Sequence, residues 1–309
     1  MKSLDVAIAG DINLDLILYG LPQEIPVERE LLADRFCMTL GGSAAITAHN
    51  LAALRCRVGM IGKTGPDALG NDALQRLIDR GVDVSRCIKA DHASQTGITF
   101  LLPHDRVRHI VTYPGTIAEL TVDDLDRDYI LQAKHFHISS FFLQKKLQKG
   151  LPEFCRALRA QGVTVSLDTN DDPEDAWGEN LSAMFSAIDL LFPNDDEARR
   201  MAHNDDLSEA IRWLARRVPV VAVKCGREGA IVQAGETRWE VPTKEVTPVD
   251  TIGAGDSFNA GFLSRFIHSH SLELCAAAGN KAASLSTLSA GGTESFRDDA
   301  LVATLLKQD

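Results

Sequence analysis

The chain has 309 residues, of which 45% are hydrophobic and 24% are charged, as expected for a globular protein with a substantial core. Its formal net charge of -11 argues against nucleic acid or an anionic membrane as a partner, because both require a basic surface. Asp5, Asp11 and Asp15 interrupt the apolar N-terminal run and the cysteines are scattered. We therefore expect a cytoplasmic protein without a secretion signal, membrane span, disulfide or zinc site.

Predicted elements in the first part of the chain mix helices with β-rich segments. DVAIAG and VGMIG are short apolar runs that end in glycine and predict buried strands. GGSAAITAHNLAAL and DALGNDALQRLIDRG have apolar residues at helical spacing. The segments at about 14–40 and 94–114 contain turn residues and alternating apolar positions, and the second is typical of a hairpin.

Beyond Gly115 strand-like and helical patterns alternate regularly. Such alternation predicts a mainly parallel sheet with helices on both faces. The fold class is therefore α/β, a three-layer α/β/α sandwich, and we expect residues 1–309 to form a single domain. The segments at about 14–40 and 94–114 interrupt the alternation, so we expect them to form a small β-sheet lid that projects from the main body.

The strongest chemical signal is the run from Asp250 to Asp256, DTIGAGD, which precedes the helical pattern SFNAGFLSRF. A Gly-Ala-Gly segment at a helix start leaves backbone N–H groups unpaired, and an anion is stabilised there by the donors and the helix dipole. Asp256 follows directly. Its carboxylate could cap the helix, or it could accept a proton from a hydroxyl that attacks a bound phosphoryl group.

Four motifs in order resemble the signatures of the PfkB family of ribokinase-like carbohydrate kinases. They are the GGSAAITAHNLAAL segment with VGMIGKTGPDALG, PNDDEA, KCGREGA and DTIGAGD. Together they span residues 10 to about 295. The resemblance implies ATP and Mg²⁺ as cofactors and a small-molecule sugar as the substrate.

The resemblance implies a role for each motif on the nucleotide side. Asp256 would be the catalytic base, and the N–H groups of Gly253, Ala254 and Gly255 would form the anion hole. Asn194 and Glu197 would organise Mg²⁺ through its waters, although an ordinary helix cap is the alternative for this pair.

Further positions match the family's nucleotide site. Lys224, Gly226 and Gly229 correspond to the loop that passes the nucleotide, where Lys224 either meets phosphate or extends to solvent at a strand end. Asn280 corresponds to a position near the adenine, with a packed amide as the alternative.

The substrate side of the resemblance lies near the N-terminus. Asp11, Asn13, Asp15, Gly41 and Gly42 match positions that surround the sugar, and carboxylates and amides suit hydroxyl recognition. Turn chemistry at a strand end is the alternative. Ile46 departs from the family, which often has Asn there, and this weakens any transfer of substrate identity.

The expected function is ATP-dependent phosphorylation of a hydroxymethyl group on a small neutral sugar. A nucleoside kinase and a non-catalytic sugar or nucleotide sensor are the alternatives. Asp171 and Asp172 follow a predicted strand and, with Asp11 and Asp15, disfavour an anionic substrate. Arg106 and Arg108 in the predicted hairpin leave that point open.

Two further expectations come from the resemblance. One is a homodimer formed through the lid, where apolar Leu16 and Leu18 would be buried by a partner or by substrate. The other is a K⁺ site behind the anion hole. Its matching positions are Asp250, Ile252, Ser286, Ser289, Gly291 and Ser295.

Overall fold

The computed structural model describes residues 2–104 and 107–306. Its strands are β1 (Leu4–Ala9), β2 (Asn13–Tyr19), β3 (Arg35–Gly41), β4 (Val58–Ile61), β5 (Lys63–Thr64), β6 (Ile88–Lys89), β7 (Gly97–His104), β8 (Val107–Tyr113), β9 (Ala133–Ile138), β10 (Thr164–Leu167), β11 (Leu190–Leu191), β12 (Val220–Lys224), β13 (Ala230–Ala234) and β14 (Thr237–Val241). Its α-helices are α1 (Ser43–Ala53), α2 (Ala68–Asp79), α3 (Arg127–Ile130), α4 (Leu151–Arg159), α5 (Glu179–Phe185), α6 (Asp195–Ala202), α7 (Leu207–Ala215), α8 (Ala254–Phe266), α9 (Leu272–Ser286) and α10 (Asp299–Leu306).

The large sheet has eight strands in the order β14-β13-β12-β11-β10-β9-β1-β4. The six strands from β12 to β4 are parallel, as predicted. The antiparallel hairpin β13–β14 at one edge was not predicted. Its strands are short, and polar residues such as Arg238 and Glu240 break the apolar run that identifies buried strands.

Strand β1 shows how both faces of the large sheet are covered. Ala7 and Ala9 face a core shared with α3 to α7, whereas Val6 and Ile8 face a core shared with α1, α2, α8 and α9. All four side chains are fully buried, which explains the continuous apolar run of the strand. The predicted three-layer α/β/α architecture is confirmed.

A smaller sheet, β3-β2-β7-β8, comes from the two β-rich segments. Strand β2 pairs antiparallel with β3 and parallel with β7. The predicted strands of both segments are present, but residues 20–34 between β2 and β3 form no strand. The turn of the predicted hairpin, including Arg106, lies outside the described residues.

The two faces of the smaller sheet differ in chemistry. A polar row across the strands consists of Thr39, Asp15, Thr99 and Thr112. The adjacent row, on the opposite face, consists of Met38, Leu16, Phe100 and Val111, of which Val111 is 58% exposed. The polar row faces the cleft described below.

The carboxyl ends of the parallel strands meet at one edge, where ligands of open α/β sheets bind. Asp11 lies just beyond β1, Asp168 just beyond β10, Asn194 just beyond β11, and Lys224 ends β12. Within residues 2–104 and 107–306, no helix is long and apolar enough to cross a membrane.

Candidate active site

A cleft of about 610 Å³ lies between this edge of the large sheet and the polar face of the smaller sheet. It brings together residues that are separated by up to about 240 positions in the chain. The residues of the sequence prediction that line it are Asp11, Asn13, Asp15, Gly42, Asn194, Glu197, Lys224, Gly226, Ile252, Gly253, Ala254, Gly255 and Asp256.

The DTIGAGD segment begins helix α8 with unpaired donors. Gly253 is the N-cap residue and has a φ of 70°, a conformation that favours glycine. A Cβ there would also lie 2.5 Å from the Cα of Gly292. Among the described residues, no hydrogen bond forms at the N–H of Gly253, Gly255 or Asp256, whereas Ala254 N–H donates to the Thr251 carbonyl at 3.3 Å. The helix start is therefore suited to bind an anion, chiefly through N–H groups other than that of Ala254.

The Asp256 carboxylate does not cap the helix. It is the third residue of α8, the N-cap makes no side-chain hydrogen bond, and Asp256 is 7% exposed. Burial raises its pKa to about 7, the nearby charge of Asp168 adds to the effect, and Lys224 opposes it. A carboxylate in this state beside an anion site can exchange a proton near neutral pH.

Beneath the anion site, Lys224 forms a buried ion pair that was not predicted. Its Nζ lies 2.6 Å from Oδ2 of Asp168, and Asn259 Nδ2 donates to the same oxygen at 2.6 Å. Burial by itself would raise the pKa of Asp168, but Lys224 and Asn259 bring it below its ordinary value. Lys224 does not extend to solvent, so that alternative is wrong. The missed signal was Asn259, a polar residue on the apolar face of α8.

Asn194 and Glu197 form a reciprocal capping box at the start of α6. Asn194 Oδ1 accepts the N–H of Glu197, and Glu197 Oε2 accepts the N–H of Asn194, both at 2.8 Å. Glu197 is nevertheless buried, and that burial raises its pKa to about 7. Only Oε2 of its two oxygens is hydrogen-bonded to a described residue. A buried carboxylate with a spare oxygen fits a hydrated Mg²⁺, which would offset its desolvation.

The substrate side contains a hydrogen-bonded group on the polar face of the smaller sheet. Asn13 Nδ2 donates to Asp15 Oδ1 at 3.2 Å and to Thr99 Oγ1 at 3.1 Å. Burial raises the pKa of Asp15 well above its ordinary value, with Asp11 and Asp256 adding to the effect. Thr99 was not predicted, because a threonine in a strand has no distinguishing pattern.

The Asp11 carboxylate is already hydrogen-bonded to other residues of the protein. Its carboxylate accepts the N–H groups of Ser43 and Ala44, each at 3.0 Å, and the hydroxyl of Ser140 at 2.9 Å. It therefore holds the start of α1 at the rim of the cleft, and Asn13 and Asp15 have more hydrogen-bonding capacity left for a ligand.

Three of the residues predicted to bind substrate or nucleotide lie outside the cleft lining. Gly41 packs where a Cβ would overlap the Asp15 carboxylate, and Gly229, with a φ of 98°, packs against the Val241 carbonyl. Asn280 Nδ2 donates to that same carbonyl at 2.8 Å. In this structure Asn280 is thus a packed amide that holds the segment after β14.

The residues of the predicted K⁺ site lie close together behind the anion site. Asp250 Oδ1 accepts Ile252 N–H at 2.8 Å, and Oδ2 accepts Gly291 N–H at 3.4 Å. Ser295 Oγ donates to the Ser286 carbonyl at 3.4 Å. Tyr19, which was not predicted, donates its hydroxyl to Asp250 Oδ2 at 3.0 Å. Among the described residues, the Ser289 side chain forms no hydrogen bond that joins it to this group.

Only one of the two aspartates predicted at the rim of the cleft lines it. Asp171 lines the cleft, but the Asp172 carboxylate accepts the N–H groups of Glu174, Ala176 and Trp177 and shapes its own loop. Asp172 is therefore not part of an acidic rim, because its oxygens are committed to the backbone.

Arg108 lines the cleft from β8 and donates to the Thr251 hydroxyl at 3.0 Å. It therefore supplies a positive charge beside the anion site. Ile46 also lines the cleft, where it packs against the backbone of Gly253 and Gly292. An apolar residue thus replaces a polar contact at this wall.

Residues 3–299 match the pfkB family carbohydrate kinase description. The chain is 30% identical over 304 residues to the ATP-dependent ribose-1-phosphate kinase of Halopiger xanaduensis, with 97% of each chain covered. It is 28% identical over 285 residues to the 2-dehydro-3-deoxygluconokinase of Bacillus subtilis, with 88% of this chain and 87% of that protein covered. The crystal structure of adenosine kinase from Sinorhizobium meliloti aligns with a TM-score of 0.85 and 27% identity, and covers 98% of this chain and 100% of that one.

Replacing Lys224 by methionine should lower the free energy of unfolding by about 3–5 kcal/mol, because it leaves the Asp168 charge buried without its partner. Urea denaturation measures this loss. Adding Asp168→Asn to Lys224→Met should recover part of it, since the uncompensated charge is then removed. Lys149→Met, at an exposed position, is the control. A loss below about 1 kcal/mol, typical of a surface pair, would contradict the buried ion pair.

Proposed function

The chain belongs to the pfkB family of carbohydrate kinases, and we propose that it transfers the terminal phosphoryl group of ATP to a hydroxymethyl group of a small sugar, with Asp256 as the general base. The observation that carries this proposal is the position of Asp256 directly beside the unpaired N–H groups at the start of α8. A proton acceptor and an anion site thus lie within one helical turn, as an in-line phosphoryl transfer requires.

The proposed reaction breaks two bonds of the reactants and forms one new bond between them. The substrate O–H bond breaks as Asp256 accepts the proton, a new O–P bond forms, and the bond between the phosphoryl group and ADP breaks. The N–H groups of Gly253 and Gly255 would stabilise the charge on the phosphoryl oxygens, because they are oriented before the reaction begins. The buried Lys224 adds positive charge to the anion site, because its Nζ lies next to Gly255. A Cβ built on Gly255 would be only 3.4 Å from that nitrogen.

The nucleotide would lie between β12 and α8. Asn194 and Glu197 would hold Mg²⁺ through its waters, and bound Mg²⁺ supplies neutralisation of the triphosphate charge. Gly226, with a φ of 54°, lines the cleft in the loop after β12. Because it has no side chain, it leaves room for the nucleotide at this wall.

A neutral sugar is the substrate that we propose first. Asp15 and the Oδ1 of Asn13 offer acceptors for hydroxyl groups, since the Nδ2 donors of Asn13 already bind Asp15 and Thr99. The cleft contains Asp11, Asp171 and Asp256 in addition. Unlike a neutral sugar, an anion would meet repulsion of up to ~4 kcal/mol from a carboxylate at 4 Å. A nucleoside remains within this proposal, since one structural neighbour is named an adenosine kinase.

An anionic sugar is the second candidate, and the position of Arg108 favours it. The side chain lines the cleft and could pair with a phosphate or carboxylate of the substrate. The relative from Halopiger xanaduensis is named for a substrate that carries a phosphate. A non-catalytic sensor has no comparable support, because such a protein needs no base at Asp256.

Replacing Asp256 by asparagine should reduce kcat by ~10²–10⁴-fold while ATP binding and folding persist, because the amide cannot accept the proton. Steady-state kinetics with nucleotide titration measures both properties. A loss below about tenfold would refute the general base.

The same carboxylate predicts the pH profile of the wild-type enzyme. Because the pKa of Asp256 is raised to about 7, the protonated and inactive form dominates below that pH. We expect kcat/KM to rise about tenfold per pH unit below about 7 and to level off above it. A profile that is flat from pH 5 to about 8 would contradict this assignment.

A substrate panel separates the two candidates. Neutral fructose or ribose should give a higher kcat/KM than a sugar phosphate or a keto-deoxy sugar acid. Arg108→Ala is the diagnostic variant, because it should lower kcat/KM for an anionic sugar by about tenfold or more relative to a neutral sugar. Preference for an anion that is lost in Arg108→Ala would establish the second candidate instead.

We also propose a K⁺ site around Asp250, because its carboxylate and the carbonyl of Ile252 could supply oxygen ligands. Activity in K⁺ should exceed that in tetramethylammonium. Equal rates would rule the site out.

A homodimer through the smaller sheet is supported by its apolar outer row, in which Phe100 and Val111 are 37% and 58% exposed. Light scattering should show a dimer that Phe100→Asp disrupts. A monomeric wild-type protein would refute this interface.

A further inference from the structure

A second cleft, of about 290 Å³, lies on the opposite side of α8 and α9 from the large sheet. The end of α1, the last turn of α8, the exposed side of α9 and the end of α10 surround it. None of its lining residues lines the active-site cleft. Along α8, Asp256 lines the active-site cleft and Gly261 and Arg265 line the second cleft, so about 8–14 Å of helix separates them.

The charge of this second cleft is opposite to that of the whole chain. Among residues 2–104 and 107–306 its lining includes no aspartate or glutamate, although the chain has a formal net charge of -11. Basic residues form its rim, and an acidic protein that concentrates cations in one concave site creates a local field for anions. These residues are Arg55, Arg265, His268, His270 and Lys281.

Two of the basic residues have no competing carboxylate. Within the described part of the chain, neither the guanidinium of Arg55 nor the ammonium of Lys281 forms a hydrogen bond or ion pair with another residue. Lys281 is half-buried and its neighbours in the cleft are small, Ala277 and Ala278. Their charges are therefore available to a ligand.

The backbone supplies an independent observation. Arg55 has a φ of 67° and Ser269 a φ of 60°, a left-handed conformation that costs a residue with a Cβ about 1 kcal/mol. Arg55 follows the C-cap of α1, the position where glycine is preferred. Ser140 and Asn170 share this conformation at the active-site cleft. The chain thus has an arginine, whose side chain lines the second cleft, at a position where glycine would be less strained.

The base of the cleft is apolar. Leu54 and Ala282 are buried there, and Leu274 is 56% exposed at the edge. Leu305 and Leu306 close the base from α10. A ligand with an apolar body could therefore cover these side chains while its charged group remains at the rim.

We infer that this second cleft binds a small organic phosphate, whose phosphate group pairs with Arg55 and Lys281 and whose apolar body covers Leu54, Leu274 and Ala282. Arginine and lysine together match the geometry and the charge of a phosphate monoester. Such a site is separate from the proposed kinase reaction and does not depend on it.

Phenyl phosphate is a suitable probe, because it combines the anion with an apolar ring. The active site is first saturated with Mg²⁺ and a hydrolysis-resistant ATP analogue, and phenyl phosphate is then titrated by calorimetry. We expect one site per chain, tighter binding than inorganic phosphate, and weakening as salt is added. Absence of binding at millimolar concentrations would overturn the inference.

Arg55→Gly is the decisive variant. It removes the guanidinium but relieves the left-handed backbone, so the melting temperature should equal or exceed that of the wild type. Phenyl phosphate binding should nevertheless fall about tenfold, as expected for the loss of one charged hydrogen bond. Lys281→Met should show the same fall in affinity.

Lys149→Met is the matched control, because it removes an exposed lysine elsewhere on the surface. It should leave the affinity for phenyl phosphate unchanged, and all three variants should retain the affinity for the ATP analogue. Unchanged binding of phenyl phosphate in both Arg55→Gly and Lys281→Met would overturn the inference.

Discussion

The buried ion pair between Lys224 and Asp168 is the contact on which the cleft depends. It joins the carboxyl ends of two strands, β12 and β10, and Asn259 ties α8 to the same carboxylate oxygen. Desolvating two charges is costly, and the short ion-pair distance and the extra hydrogen bond from Asn259 offset this cost. It also places a positive charge under the anion site, where the field is strengthened by the low dielectric of the interior.

Close backbone packing completes this arrangement. Gly261 lets α8 and α9 approach so closely that a Cβ there would lie 2.5 Å from the Ala278 carbonyl. Gly253 approaches Gly292 in the same way, with Ile46 packed against both. Gly292 and Ile46 thus pack against the start of α8, and α9 packs against its middle. The N–H groups at the helix start therefore keep their direction without a side-chain cap.

Motifs with a local physical cause could be read from the sequence, and contacts between distant segments could not. The parallel strands of the large sheet are continuous apolar runs, and DTIGAGD requires glycine for its own backbone, so both were predicted. Asp168 and Asn259 acquire their meaning only when β10 and α8 are brought together, 91 positions apart in the chain. The same applies to Asp172, whose acidic appearance suggested a role at the rim although its oxygens bind the local backbone.

Strand β1 continues into β2 through only three residues, Gly10 to Ile12. Asp11 is fixed to the start of α1, whereas Asn13 is fixed to Thr99 of the smaller sheet. The buried Ile12 lies between these two anchored residues and connects the large sheet to the smaller sheet. A tilt about this point would carry Asn13 and Asp15 with it while Asp256 and the N–H groups of α8 stay in place. The residues proposed to hold the sugar therefore lie on the smaller sheet, whereas the proposed base and anion site lie on α8, although both groups share a single cleft.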